Sequence, residues 1–269
     1  MDTFYFGRLN FVSKRDLYKL LDSGYKYRPE VNINFGVFNL RKMEDRDFGV
    51  IITGELIKYK DYIENEVVKD NKPSTELVEN AILGKCRFFL LEQDHLIAYN
   101  PYGKIIDDKA FCHSFSGVII AADDTFDSDS LIYPINNEYE FLDFVKKMRS
   151  INKLTINLTP SNPNNRDLWK DVDDKLNEMN VKIYKETFTA TKGKSLNLQD
   201  EEESKIHMAE DGYGKAFSEG VDQDGNEVSV STDHKDSVMK KKISKTEDVA
   251  EQYMNLRGVF DNIRNRFSK

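Results

Sequence analysis

The sequence contains few of the residues that metal sites and disulfide frameworks require. Among 269 residues there are only 2 cysteines, 4 histidines, 6 prolines and 1 tryptophan. The cysteines form no CxxC pair, which argues against a zinc site, and each lies in an apolar segment. We therefore expect Cys86 and Cys112 to be buried, unpaired side chains.

Long apolar runs are also missing. None approaches the roughly 18 to 20 residues that a membrane-spanning helix needs. The N-terminal segment MDTFYFGRLN places an acid where a secretory signal would have bases before an apolar stretch. These features predict a soluble, cytoplasmic protein that does not insert into a membrane.

The motifs of common enzyme families are absent as well. The sequence has no GxxxxGK[ST] phosphate loop, no GxGxxG after a strand, no HExxH and no GxSxG. The sequence therefore lacks the residues that these nucleotide-binding, zinc-protease and hydrolase sites require. We assign no catalytic residue, no metal and no cofactor, and the balance favours a protein that is not an enzyme.

One segment has a weak likeness to a calcium loop. Asp222, Asp224 and Asn226 alternate as calcium ligands do, but the glycine of the bend comes two positions early, at Gly225. The twelfth position is Asp233, where bidentate coordination prefers glutamate. The Asp-Gly pair is the strongest hairpin signal in the chain, so we predict a plain β-turn here.

A second segment is the nearest approach to a metal-dependent nuclease. Glu55 and Lys58 lie on a predicted strand, with Asp45 and Asp47 upstream. The spacing does not match a Glu and Lys pair two residues apart. A solvated strand face explains these residues better.

The string HMAEDGYG is the most unusual local pattern. His207 and Asp211 could form an acid–base pair. The alternative is structural: Gly212 and Gly214 would form a turn with positive φ, and Tyr213 would be a buried anchor. We favour the structural interpretation.

The remaining pattern predicts an α+β fold. Residues 1–150 read as a strand-rich domain with a mixed, largely antiparallel sheet, and residues 151–269 as a smaller α+β domain. A long amphipathic helix, capped by Thr246, closes the chain. Its apolar positions, spaced alternately by four and three, are Val249, Tyr253, Leu256, Phe260, Ile263 and Phe267.

Several shorter elements follow from local pattern. Residues 3–11 predict a strand and residues 75–83 a short helix, while residues 110–124 predict another strand. Ser13 and Asn165 have the character of helix N-caps. Residues 41–47 predict a charged turn, and residues 124–130 a polar loop.

Charge is distributed unevenly along the chain. The net charge is −8, but residues 234–269 contain nine Lys or Arg against five Asp or Glu, so the rest of the chain carries about −12. A basic segment on an acidic body suggests a polyanionic partner. The candidate DNA-binding residues are Lys240, Lys241, Lys242, Arg257, Arg264 and Arg266.

Three strings resemble a known group of proteins: LGKCRFFLLEQDHLIAYNPYGKII, TPSNPNN, and AEQYMNLRGVFDNIRNRF. In their order and patterning they resemble the RexA-like phage-exclusion proteins and the KwaB-like proteins of bacterial antiviral systems. The resemblance implies a homodimer that binds DNA without sequence preference and works with an effector protein in anti-phage defence. It assigns no individual contact residue.

The leading hypothesis is therefore a DNA-binding defence component. Two alternatives remain open. The protein could be an interaction or regulatory module whose C-terminal helix mediates association, or a metal-dependent nuclease that uses acids around Glu55.

Overall fold

The computed structural model describes residues 1–10, 15–123, 131–137, 140–162, 166–234 and 237–267. The predicted caps Ser13 and Asn165 and the predicted loop at residues 124–130 lie outside the described residues. In chain order the elements are β1 (Asp2–Leu9), α1 (Leu17–Asp22), β2 (Lys26–Glu30), β3 (Ile33–Asp45), β4 (Gly49–Lys69), β5 (Lys72–Leu91), β6 (Leu96–Tyr99), α2 (Asp108–Ala122), β7 (Ile132–Pro134), α3 (Glu140–Lys146), β8 (Ser150–Leu158), α4 (Lys170–Glu178), β9 (Tyr184–Thr189), α5 (Asp200–Met208), a π-helical turn (Ala209–Tyr213), β10 (Gly214–Val221), β11 (Glu227–Ser231), β12 (Lys240–Ile243) and α6 (Val249–Arg266).

The fold is α+β, as predicted, and the chain divides into two compact units. Unit 1 consists of residues 1–12, 93–98 and 132–269, and unit 2 of residues 13–92 and 99–131. This division does not follow the boundary expected at residue 150. The first strand pairs with strands far along the chain, and local sequence pattern carries no information about such distant pairing.

The first sheet of unit 1 is built around β1. On one side, β12 pairs antiparallel with its first half and β7 with its second half, and β6 lies on the other side. Helix α6 covers one face of β1, where Phe6 and Phe260 make an edge-to-face contact with ring centroids 5.4 Å apart. The predicted strand at residues 3–11 is thus confirmed over most of its length.

The second sheet of unit 1 has the strand order β11-β10-β8-β9, with every pair antiparallel. Its core contains Trp169, which is 1% exposed, together with Leu154, Ile206 and Tyr213. The predicted Asp-Gly hairpin joins β10 to β11, and Gly225 has a φ of 89°. That prediction is confirmed.

Unit 2 contains the sheet β5-β4-β3-β2, again antiparallel throughout. Helix α2 packs on it through Phe115, whose ring meets Phe88 edge-on at 5.0 Å. Gly117 lies against the ring of Tyr27, where an added Cβ would come within 2.5 Å. Glycine is therefore required at this close approach of helix and strand.

Strands β4 and β5 extend beyond the rest of their sheet. β3 pairs with β4 only as far as Lys60, whereas β4 and β5 remain paired to Lys69 and Lys72. Residues 63–69 and 72–78, here called the ribbon, carry exposed apolar side chains, including Val68 at 77% and Leu77 at 60%. Asp70 and Asn71, both with positive φ, form its two-residue turn.

Two element predictions are wrong. Residues 75–83 form part of β5 rather than a helix, because cross-strand pairing with β4 overrides a weak helical spacing. Residues 110–124 mostly belong to helix α2 rather than a strand, since a continuous apolar run fits a buried helix as well as a buried strand. The charged turn is also shorter than predicted: β3 continues to Asp45, and only residues 46–48 turn.

The predicted C-terminal helix is confirmed, with one change at its start. Asp248 rather than Thr246 is the N-cap, and its Oδ1 accepts from the backbone nitrogens of Ala250 and Glu251. The hydroxyl of Thr246 instead donates to Glu251. No helix in the described ranges has both the length and the apolar character needed to cross a bilayer.

Candidate functional site

The basic segment predicted from the sequence includes the edge strand β12. Lys240 lies opposite Tyr5 of β1 and Lys242 lies opposite Thr3, so these four side chains share one face of the sheet. All three lysines of β12 are exposed. Within the described part of the chain, neither Lys241 nor Lys242 has a carboxylate partner within 4.0 Å.

The three arginines of the prediction have different surroundings from the lysines. Arg257 forms an ion pair with Asp261 one turn along α6, at 3.0 Å. Arg264 pairs with Asp94, and its Nε donates to the carboxylate at 3.2 Å. Arg266 is 8% exposed and donates through Nη1 to the carbonyl oxygen of Asn136. All three arginines therefore bind groups of the protein itself.

Arg266 cannot serve as a surface contact for DNA, because its guanidinium is inside the protein. It is one of four arginines that meet beside the π-helical turn, here called the arginine cluster. The members are Arg8, Arg166, Arg264 and Arg266, with the carboxylates of Asp94 and Asp211.

Asp211 lies at the centre of the cluster and is 3% exposed. Its Oδ2 accepts from the indole nitrogen of Trp169 at 2.9 Å and from Nη1 of Arg166 at 3.4 Å. Its Oδ1 lies 3.7 Å from Nη1 of Arg266. One carboxylate thus joins the segment after β8 to the last turn of α6.

Arg8 is the most deeply buried member. Its guanidinium lies between the rings of Tyr213 and Phe267, 4.5 Å from each centroid. Nε donates to the carbonyl oxygen of Asp211 and Nη1 to that of Asp94. Nη2 is buried and has no hydrogen-bond partner among the described residues.

The HMAEDGYG segment holds this arrangement in place. Gly212 has a φ of 86°, and an added Cβ there would meet the Cβ of Arg8 at 2.9 Å. Tyr213 is fully buried, so the predicted glycine turn with a tyrosine anchor is confirmed. Nδ1 of His207 lies 3.0 Å from Oε2 of Glu210, while the carboxylate of Asp211 accepts from Trp169 and Arg166.

His95 follows Asp94 of the arginine cluster in the chain, and the charge of Arg8 affects its pKa. Burial lowers the pKa of His95, and the positive charge of Arg8 lowers it further. Hydrogen bonds with the backbone of Asn162 and Leu9 oppose this shift without reversing it. The imidazole therefore favours its neutral form at neutral pH.

The acids considered for a nuclease have structural partners. Burial raises the pKa of Glu55, but hydrogen bonds from Asn39 and Arg87 outweigh this effect and leave it below its usual value. Asp45 accepts backbone hydrogen bonds in the turn that follows β3. In the described ranges, no group of three or more His, Cys, Asp or Glu could hold a metal ion.

Both cysteines are buried and unpaired with one another, as predicted. Burial raises the pKa of the Cys86 thiol to about 12, which makes a thiolate nucleophile unavailable at neutral pH.

Sequence reasoning missed the arginine cluster as a unit. Its arginines come from residue 8, residue 166 and the C-terminal helix, and local patterns do not show that these segments meet. The only local signal was the pair of glycines flanking Tyr213.

The fold and these sites define an α+β protein with a buried arginine cluster and a lysine-rich edge strand. The chain belongs to the family described as Domain of unknown function (DUF4747), whose model matches residues 2–257. No curated protein matches the sequence.

Proposed function

We propose that this protein binds nucleic acid without sequence preference, through a surface centred on the three lysines of β12. The observation that carries the proposal is their placement: they are consecutive and exposed on a strand within the basic segment, and Lys240 and Lys242 share a face of the sheet with Tyr5. Phosphate groups bind such lysines regardless of sequence, and an aromatic side chain can stack on an exposed base.

The biological role in the proposal is that of a cytoplasmic component of anti-phage defence. It rests on the resemblance of the sequences at residues 83–106, 159–165 and 250–267 to RexA-like and KwaB-like proteins. A homodimer would present two β12 strands to one duplex and so double the number of phosphate contacts. An effector protein would then act on the signal that DNA is bound.

Lysines on an edge strand also have a structural explanation. They discourage edge-to-edge pairing between sheets of different molecules. If this were their only role, replacing them would cause self-association and leave any DNA binding intact. The proposal requires instead that replacing the lysines weakens DNA binding without causing self-association.

The experiment is a titration of an unrelated, labelled duplex by fluorescence anisotropy, from about 25 to about 300 mM salt. The wild type is expected to bind at low salt and to weaken as salt rises. Replacing Lys240, Lys241 and Lys242 by Ala should weaken binding and reduce the slope of log K against log salt by about 2.7 if all three contact phosphates.

The matched control replaces Lys185, Lys192 and Lys194 by Ala. These lysines are exposed on β9 and the segment after it, and their removal changes the net charge equally. Absence of binding at low salt, or an equal loss in both triple variants, would contradict the proposal.

The alternative of association through the C-terminal helix loses its main support. The apolar stripe of that helix includes Tyr253, Leu256, Phe260 and Ile263, and these side chains are buried within their own unit. They are therefore not available to a partner in this fold.

A further inference from the structure

The second sheet of unit 1 has one covered face and one open face. On the covered face, Leu154 and Ile156 of β8 and Ala216 of β10 belong to the core and are each 0% exposed. The outward positions between residues 153 and 157 of β8, and between residues 215 and 219 of β10, are all half-exposed. These six residues, here called the open face, are Lys153, Thr155, Asn157, Lys215, Phe217 and Glu219.

An open face is common in an antiparallel sheet. One face often packs on the core while the other meets water and carries polar side chains. Here Phe217 lies in the middle, opposite Thr155 on β8 and Ser231 on β11. A single apolar side chain on a surface needs no partner. The charges that flank the ring therefore decide whether this face is an interface.

The charges on β10 are placed symmetrically about Phe217. Lys215 comes two residues before the ring and Glu219 two residues after it, so all three side chains project from the same face. Glu219 lies opposite Lys153 but forms no ion pair among the described residues. Lys215 lies 3.5 Å from Asp233, and 43% of its side chain is exposed. Both charges on β10 can therefore reach a partner.

A second copy of this chain is complementary to that arrangement. A two-fold axis that crosses β10 at Phe217, in the plane of the interface and at right angles to the strands, brings two open faces together. Lys215 of each copy then lies over Glu219 of the other, and the two Phe217 rings meet at the axis. On β8, Lys153 lies over Asn157 of the other copy. A two-fold interface uses the same patch on both copies, so it requires a self-complementary face of this kind.

We propose that two copies of the chain form a homodimer by stacking their open faces, with Phe217 at the axis and two Lys215–Glu219 pairs beside it. Aligned sheets pack about 10 Å apart, a spacing that interdigitating side chains fill. This assigns an interface to the homodimer of the proposed function. It rests on the open face alone and does not require that the protein bind DNA.

The dimer is expected to be weak. Four strands about 4.8 Å apart, each contributing five residues about 3.4 Å apart, cover a plan area of only about 300 Å² on each copy. Even with the relief of the side chains, this is below the roughly 800 Å² per partner of a standard interface. We therefore expect a transient dimer that forms at about tens of micromolar protein.

A second two-fold arrangement gives different pairs. With the axis parallel to the strands, Glu219 would lie over Lys153 of the other copy, and Phe217 over Thr155. The proposed arrangement is favoured because it joins ring to ring, and an aromatic pair contributes more than its buried area alone. Charge reversals separate the two arrangements.

The test is sedimentation velocity of the full-length chain without nucleic acid, from about 5 to about 200 µM protein. The wild type should shift from monomer to dimer over this range. Lys215→Glu and Glu219→Lys should each raise the Kd of the dimer at least tenfold, because each brings like charges together at two contacts. An equimolar mixture of these two variants should associate like the wild type, since each contact between unlike copies then joins opposite charges.

The matched control is Lys153→Glu, which makes the same charge change on the same face. Mixed with Glu219→Lys, it should not restore association, because Lys215 of one copy still meets a positive charge. Restoration by Lys153→Glu rather than by Lys215→Glu overturns the proposal, as does a wild type that stays monomeric at about 200 µM. Should Lys215→Glu fail to fold, Glu219→Lys decides alone, since an unchanged Kd contradicts the pairing.

The dimer and the DNA-binding surface are tested separately. The triple alanine variant of Lys240, Lys241 and Lys242 should dimerise like the wild type, because β12 is not part of the open face. Loss of DNA binding without loss of the dimer leaves this inference intact. A monomeric wild type that still binds a duplex overturns this inference and leaves the DNA-binding proposal standing.

Discussion

Asp211 is a single buried carboxylate on which several distant segments depend. It accepts from Trp169 and Arg166 and lies beside Arg266, while its backbone carbonyl accepts from Arg8. Removing one partner from a buried ion pair leaves the other charge uncompensated and usually costs more than the pair contributes. The consequences of a change at this residue should therefore be large.

Asp211→Asn is expected to lower the free energy of unfolding by about 3 to 5 kcal/mol. The amide oxygen can still accept from Trp169, so the loss reports mainly on the missing negative charge among three buried arginines. Denaturation by urea measures it. Asp174→Asn, on the exposed face of α4, is the control and should change stability by less than about 0.5 kcal/mol. A loss below about 1 kcal/mol for Asp211→Asn would contradict this account.

For single residues, the sequence predicts those roles that depend only on neighbouring positions in the chain. Gly212 and Tyr213 follow from a short string, because positive φ and a buried aromatic anchor are local requirements. The burial of Cys86 follows equally from its apolar neighbours. Arg266 was misjudged, because a basic residue at the end of a helix has the same pattern whether it faces solvent or a buried carboxylate.

Among the elements, those with strong periodicity were predictable and those with ambiguous pattern were not. Helix α6 repeats its apolar residues over several turns, and only its cap differs from expectation. Helix α2 is apolar on several sides, so periodicity cannot separate it from a buried strand. The ribbon gives the weakest signal, because its stability comes from pairing between β4 and β5 rather than from burial of one face.

The ribbon should be dispensable for folding. Replacing residues 65–76 by Asn-Gly keeps the strand register, since Glu64 lies opposite Leu77 and a two-residue turn closes that pair. All twelve residues are exposed or half-buried, so stability should change by no more than about 1 kcal/mol. Chemical denaturation measures this change.

The variant for comparison with the shortened ribbon is Leu56→Ala, which lies in β4 as part of the ribbon does. Leu56 is 0% exposed, and its truncation should cost about 2 to 5 kcal/mol. If shortening the ribbon destabilised the protein as much as this core change, the ribbon would have to carry a structural role that its exposure does not indicate.

Over the whole molecule, the path of the chain limits what sequence pattern can show. The α+β class follows from the kinds of elements present, but the division into units does not. The chain leaves unit 1 after residue 12, returns at residues 93–98, leaves again, and returns for good at residue 132. A boundary chosen near residue 150 from the order of the predicted elements lies within unit 1.

This path makes a prediction about fragments. Residues 1–150 and 151–269 should not fold as independent domains, because β1 would lose its partner β12 and Arg8 would lose Asp211 and Phe267. Residues 151–269 should show poor dispersion in amide NMR spectra and no cooperative thermal transition, whereas in residues 1–150 only the signals of unit 2 should be dispersed. The control fragment, residues 13–131, retains all of unit 2 and should keep a dispersed spectrum. A cooperative transition in residues 151–269 alone would show that the second sheet and its helices are stable without β1, and that Arg8 is dispensable for their folding.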